Sequence, residues 1–313
     1  SAVLRFSLNQ QYCHQGFLEI NSGLNRFKHD SSVKLSVANA LWKKNQLVFF
    51  PDYLELTKKY YNASIYSLTN AKKINDWAEK NTNGKIKEII TDADLANAQL
   101  VLTNAIYFKA DWQKRFIEKD TRKDTFTTID EKKIIADMMF QVNDVMYFED
   151  DQNQVMELPY KGDSISMTII LPKPNSSMTK LISDVDYKWF SYYNTNLTKR
   201  EVLISLPKFI IKSSFEISKV LATMGMPDAF EPSRADFSGI SPGLFISAIL
   251  HKSFIEVNEK GSEAAAATAV TISVTSVNKN DLIFNANRPF MFIINDKKTQ
   301  SILFMGSVMN PTE

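Results

Sequence analysis

Apolar positions fall into two rhythms along this chain, one helical and one of extended runs. Residues 74–80 carry apolar side chains at helical spacing, and Asn83-Gly84 supplies a stop. Residues 100–108 are near-continuously apolar, as a central strand covered on both faces would be. Strands are predicted at 165–171, ending at Pro172, and at 202–206, ending at Pro207. The composition of 172–177 predicts a turn. A short helix over 218–225 precedes an irregular stretch from 227 to 242. Strands return at 290–294 and 301–305, with a turn at Asn295-Asp296 between them. No repeat and no long linker interrupts the series. The pattern predicts an α+β fold, one domain over 1–313, with large, mostly antiparallel sheets and several helices.

Residues 259–275 follow neither rhythm cleanly. Read at period two, Ser262, Ala264, Ala266, Thr268, Val270, Ile272 and Val274 form one face, grading from tiny to β-branched. The other face stays small or polar. Alanine propensity favours a helix here, but Gly261 before the alanines and the β-branched run after them oppose it. The reading is a long strand with one buried face, whose distal end runs into the polar residues 276–281.

Composition removes most enzymatic readings. The 44% apolar and 12% aromatic content is that of a packed globule. A formal charge of +2, from 37 basic and 35 acidic residues, speaks against nucleic acid as partner. No apolar run reaches the ~18 residues a membrane span needs. Cys13 stands alone, so no internal disulfide or multi-cysteine metal site is expected. Three histidines exist (His14, His29 and His251), yet there is no Gly-x-Ser-x-Gly elbow, His-Glu-x-x-His pair, phosphate loop or dinucleotide fingerprint. No cofactor and no enzymatic activity are expected. Sequons at Asn62, Asn175 and Asn196 are compatible with a secreted glycoprotein, with a cytoplasmic location the alternative.

The segment Glu259-Lys260-Gly261-Ser262-Glu263-Ala264-Ala265-Ala266-Ala267-Thr268 resembles the proximal hinge of inhibitory serpins. Phe284-Asn285-Ala286-Asn287-Arg288-Pro289-Phe290 resembles the strand that follows their reactive loop. Thr103-Asn104-Ala105-Ile106-Tyr107-Phe108-Lys109-Ala110-Asp111-Trp112, Leu158-Pro159-Tyr160 and Leu206-Pro207-Lys208-Phe209 are similar to further serpin motifs. So are Ala235-Asp236-Phe237-Ser238-Gly239-Ile240 and Phe304-Met305-Gly306-Ser307-Val308-Met309-Asn310-Pro311. The resemblance runs in order across roughly residues 15 to 311. Relative to that pattern, Val3-Leu4-Arg5-Phe6 falls inside a region of first helices and a core strand that this sequence otherwise lacks.

The resemblance implies a suicide-substrate inhibitor with an exposed reactive-centre loop at about 259–281. In serpins a protease cleaves this loop, which inserts into the main sheet as an extra strand and carries the acylated protease with it. Small hinge residues enter first, so a bulky or charged residue at Ser262 or Ala264 would stall insertion. Asn104 and His251 would form the shutter that gates sheet opening, and Trp112 would sit at the breach where the loop first enters. By the spacing usual in that family from the hinge glycine, here Gly261, the resemblance implies a reactive bond at Thr275-Ser276, with cleavage after Val274 the alternative. No Arg or Lys lies between Ala264 and Ser276, so an elastase-like or subtilisin-like serine protease is the expected covalent partner. A papain-like cysteine protease is the second choice, and a non-inhibitory or substrate-only protein the third. Arg5, Arg26, Lys28 and Lys34 are scattered, which gives no support for a heparin-type cofactor site. A monomer is expected, able to form loop-sheet polymers.

Overall fold

The computed structural model describes residues 6–29, 32–262 and 282–313. Helices α1 (Gln10–Leu24), α2 (Pro51–Tyr61), α3 (Ala71–Asn81) and α4 (Asp92–Leu95) are interspersed with strands β1 (Val33–Lys43), β2 (Ser64–Ser67) and β3 (Leu100–Asp111). There follow β4 (Arg122–Thr127), β5 (Lys133–Glu149), β6 (Asn153–Pro159) and β7 (Ile165–Pro172), then α5 (Met178–Asp184) and α6 (Tyr187–Asn196). Strands β8 (Thr198–Pro207) and β9 (Phe209–Glu216) lead to α7 (Ser218–Thr223). The chain closes with β10 (Ala248–Asn258), β11 (Gly261–Ser262), β12 (Leu282–Asn285), β13 (Phe290–Asp296) and β14 (Ile302–Val308).

Within the fold the chain forms two compact units, one of residues 1–108 and 211–254, the other of 109–210 and 255–313. The first is built on α3 and the odd-numbered face of β3. Asn70 caps α3, its side chain accepting from the Lys73 amide, and the helix buries Ala71, Ile74 and Ala78. These pack with Trp42, Ile86, Val101, Ala105, Tyr107 and Phe254 into one core. Trp42 satisfies its indole by donating to Thr103 Oγ1 at 2.9 Å. Past α3, Asn83 and Gly84 both adopt positive φ and turn the chain. Asn75 then pins the segment that follows, accepting from the Ile89 and Ile90 amides and donating to Ile90 O.

The second unit contains an eight-stranded sheet ordered β12-β8-β5-β6-β7-β13-β14, with β4 paired to β5. Strands β7 and β13 are buried along their whole length, which accounts for their unbroken apolar runs. One face is covered by α5 and α6, whose Met178, Leu181, Phe190 and Tyr193 pack on Val155, Ile170, Met291 and Ile293.

One expectation needs correction. Strand β3 is not evenly buried on its two faces, because its residues alternate and Leu102, Asn104 and Ile106 are only half-buried among the described residues. The six-stranded sheet, ordered β2-β1-β3-β11-β10-β9, mixes parallel with antiparallel pairs. Strand β1 pairs with β2 in parallel, and so does β3 with β10, from Val101↔Ala248 to Tyr107↔Phe254. The long stretch of chain between β3 and β10 supplies the crossover that a parallel pair requires. The antiparallel expectation holds for the eight-stranded sheet, except where β12 joins β8.

Replacing Asn75 by Ala removes three hydrogen bonds at once and leaves backbone groups without partners. The expected loss is about 1–3 kcal/mol, read from denaturant unfolding. An unchanged midpoint would show that Asn75 does not hold the 86–90 segment.

Candidate functional site

The chain leaves β10, turns at Glu259-Lys260 and comes back as β11. Val257 is paired with Ser262 and Asn258 with Gly261. On its other side β11 pairs antiparallel with β3, Gly261 opposite Asp111 and Ser262 opposite Ala110. Two residues therefore stand as a strand between the ends of β3 and β10. The backbone of the turn is spent on the segment after β3, with Lys260 O accepting from the Trp112 amide at 2.8 Å and Glu259 O from the Phe116 amide at 2.9 Å.

Gly261 is required here on two grounds. Its φ of +147° is one that side-chain-bearing residues rarely adopt. A Cβ at this position would also lie 2.0 Å from Ala110 O and 2.7 Å from Asp111 Cα, which is backbone that cannot move aside. Ser262 is fully buried, and its hydroxyl meets the equally buried Tyr160 hydroxyl at 2.7 Å. Burial pushes the Tyr160 phenol up, so it stays neutral. The Tyr160 ring stacks on Trp112 with centroids 4.5 Å apart and planes within 8°. Trp112 in turn donates its indole N–H to Asn258 O at 2.9 Å. The three side chains thus form one buried stack against the hinge.

Charge anchors the turn. Glu259 is only 6% exposed, and Lys208 Nζ lies 3.1 Å from its carboxylate. Thr121 donates to the same oxygen at 2.8 Å. Burial alone would raise the Glu259 carboxyl, but these hydrogen bonds and the lysine charge outweigh it and hold the group below its ordinary value. Lys260 reaches Glu118 at 3.3 Å on the outer side of the turn.

The second cluster lies in the other unit, on the parallel ladder. His251 and Asn104 are register partners in β10 and β3. His251 Nδ1 lies 2.7 Å from Asn104 Oδ1, and Asn104 Nδ2 donates to Asn39 Oδ1 of β1 at 2.8 Å. With its amide nitrogen committed to Asn39, Asn104 accepts at Oδ1, which assigns the proton to His251 Nδ1. Phe215 of β9 stacks flat on the imidazole at 6.2 Å. Side chains of four neighbouring strands are therefore joined into one belt. Burial lowers the His251 pKa.

The sequence singled out Glu259, Lys260, Gly261, Ser262 and Trp112, which the structure brings together, and Asn104 and His251, which it also brings together. Glu263, Ala264, Ala265, Ala266, Ala267 and Thr268 lie outside the described residues, as do Val274, Thr275 and Ser276. Sequence reasoning did not assign roles to Tyr160, Lys208, Thr121 and Asn39. Tyr160 and Lys208 sit inside motifs already noted, whereas Thr121 and Asn39 carry no signal beyond their polarity. Among the described residues no group of three or more His, Cys, Asp and Glu side chains could hold a metal.

Comparison with known proteins agrees with this architecture. The family model for serpins (serine protease inhibitors) matches residues 1–311. A serpin-like protein of Thermococcus kodakarensis is 40% identical over 290 residues, covering 89% of this chain and 67% of that protein. The leukocyte elastase inhibitor of Xenopus tropicalis is 36% identical over 328 residues, covering 99% and 86%. The crystal structure of the thermophilic serpin tengpin in its native state superimposes with a TM-score of 0.90 at 29% identity, covering 99% of this chain and 81% of tengpin. The chain belongs to the serpin family, a single-domain α+β fold many of whose members inhibit proteases.

Two outcomes follow from the geometry. Gly261→Ala is expected to expel Gly261 and Ser262 from the sheet, read as faster amide exchange at Trp112 and Ser262. Unchanged protection would mean the close approach to Ala110 is not held in solution. For His251 the folded pKa is depressed, so its contribution to stability is complete above the ordinary value of about 6.5 and is lost as pH falls towards the lower folded value. The thermal midpoint is expected to drop between about pH 7 and pH 5, and His251→Gln to flatten that drop. An identical pH profile for the variant would remove His251 from the account.

Proposed function

We propose that this serpin is a suicide-substrate inhibitor of elastase-like or subtilisin-like serine proteases. One observation carries the reading: the hinge already stands two residues deep between β3 and β10, with Ser262 fully buried. Loop insertion then continues a pairing that has begun. A strand of about a dozen residues, at roughly 1 kcal/mol net per ladder hydrogen bond, gains on the order of 10 kcal/mol. That matches the stability of a whole domain and is enough to distort a tethered protease.

In this mechanism the protease attacks the bond after Thr275, or after Val274, and is carried off as an acyl-enzyme before water releases it. Asn39, Asn104 and His251 hold β1, β3 and β10 together until the strand arrives, and the Trp112–Tyr160 stack receives the hinge. Val274 and Thr275 are small and β-branched, which suits a shallow specificity pocket. Val274 would also serve a papain-like cysteine protease, which reads an apolar residue just before the scissile one.

Incubation with pancreatic elastase is expected to give an adduct that survives boiling in detergent. Ser262→Arg cannot be accommodated opposite Tyr160, so it is expected to abolish the adduct while cleavage persists. Adduct formation by the arginine variant at the parent rate would exclude hinge insertion as the mechanism.

A further inference from the structure

A cleft of about 360 Å³ opens beside the hinge, walled by Trp112, Leu158 and Pro159. Its floor carries Gln141 and Asn143, two residues apart on the same face of β5. Gln141 is 9% exposed, and among the described residues neither its amide nitrogen nor its amide oxygen has a hydrogen-bond partner. A buried amide without partners destabilises a fold, and such groups persist where a ligand or water supplies the missing bonds. The cleft is half-enclosed and of the size that holds small ligands.

The rim is charged. Lys114 Nζ donates to Val142 O at 2.7 Å, and Lys199 lies 3.2 Å from Asp144, so each ammonium keeps further donors. Two lysines against one aspartate leave the rim positive by one. The larger cleft next to it is different: its lysines are committed to Glu259 and Glu118, at 3.1 and 3.3 Å, and leave no comparable demand.

We propose that the Gln141 cleft is a binding site for an acylated amino acid or the C-terminal residue of a peptide. Gln141 offers an amide nitrogen with two donors and an acceptor oxygen, which the carbonyl and N–H groups of a peptide-like ligand engage. The apolar walls of Leu158 and Pro159 take a small side chain, and Lys114 and Lys199 take the carboxylate that follows the amide. Trp112 is shared between this cleft and the hinge, so an occupant rests on the residue that supports Asn258. The site is independent of the reactive bond and of the protease it selects.

The test uses N-acetylalanine as probe in isothermal titration with the intact protein. N-acetylalanine amide, which lacks the carboxylate, and propionate, which lacks the amide, serve as comparisons. Saturable binding of N-acetylalanine is expected, with each comparison probe at least tenfold weaker. Gln141→Leu is expected to fold with an equal or higher thermal midpoint, since an unpartnered amide is removed, and to weaken the probe at least tenfold. Lys199→Met, at an exposed position, is expected to weaken N-acetylalanine while leaving its amide unaffected. Absence of saturable binding would mean that the cleft holds water only. Equal affinity for propionate, or undiminished binding to the leucine variant, would overturn the role of Gln141.

Discussion

The approach of Gly261 to the backbone of Ala110 and Asp111 is the contact on which this molecule turns. A strand can stand between β3 and β10 at that point only because no Cβ is present, and only because φ at +147° aims the chain back along the sheet. Once Gly261 is in place, the ladder partners of Ser262 are set on both sides. Every neighbouring feature serves that placement. The Glu259 carboxylate, gripped by Lys208 and Thr121, fixes the base of the turn, and Trp112 holds its rim through the Asn258 carbonyl.

Strands β3 and β10 are each continuous, and beyond the hinge they pair directly with one another in parallel. The same backbone groups can pair either with each other or with a new strand between them. Parallel pairing is the weaker of the two ladder types, whereas an inserted strand would pair antiparallel on both sides, as β11 does. On the proposed mechanism, the intact sheet therefore sits above a more favourable arrangement. In the proposed mechanism the belt of Asn39, Asn104 and His251 is the tie across β1, β3 and β10 that insertion has to break, a matter of two side-chain hydrogen bonds.

Much of the frame was legible in the chain. Helix α3 announced itself by Ile74 and Ala78 at helical spacing and by the Asn83-Gly84 stop, and β7 and β13 by apolar runs that match their burial on both faces, whereas the similar run of β3 overstated its burial. The seventeen-residue β5 was not legible, because Asp137, Asn143 and Asp144 interrupt its pattern and its extent is set by pairing with β4, β6 and β8. The parallel match of β3 to β10 was hidden for a different reason. Its partners lie far apart in sequence, and periodicity carries no information about register between distant strands. At the hinge, the alternation showed a strand with one buried face and the family resemblance implied the need for small residues, but the Tyr160–Ser262 bond and the carboxylate network are tertiary facts.

The central claim is that an inserted strand lies well below the intact sheet in free energy. Thermal unfolding of the intact chain should therefore be compared with that of chain cut within residues 264–276 by a protease it does not trap. An upward shift on the order of 20 °C is expected after cleavage, corresponding to a gain of roughly 10 kcal/mol. A midpoint that stays the same or falls would contradict the account, because it would mean the cut loop gains nothing by entering the sheet.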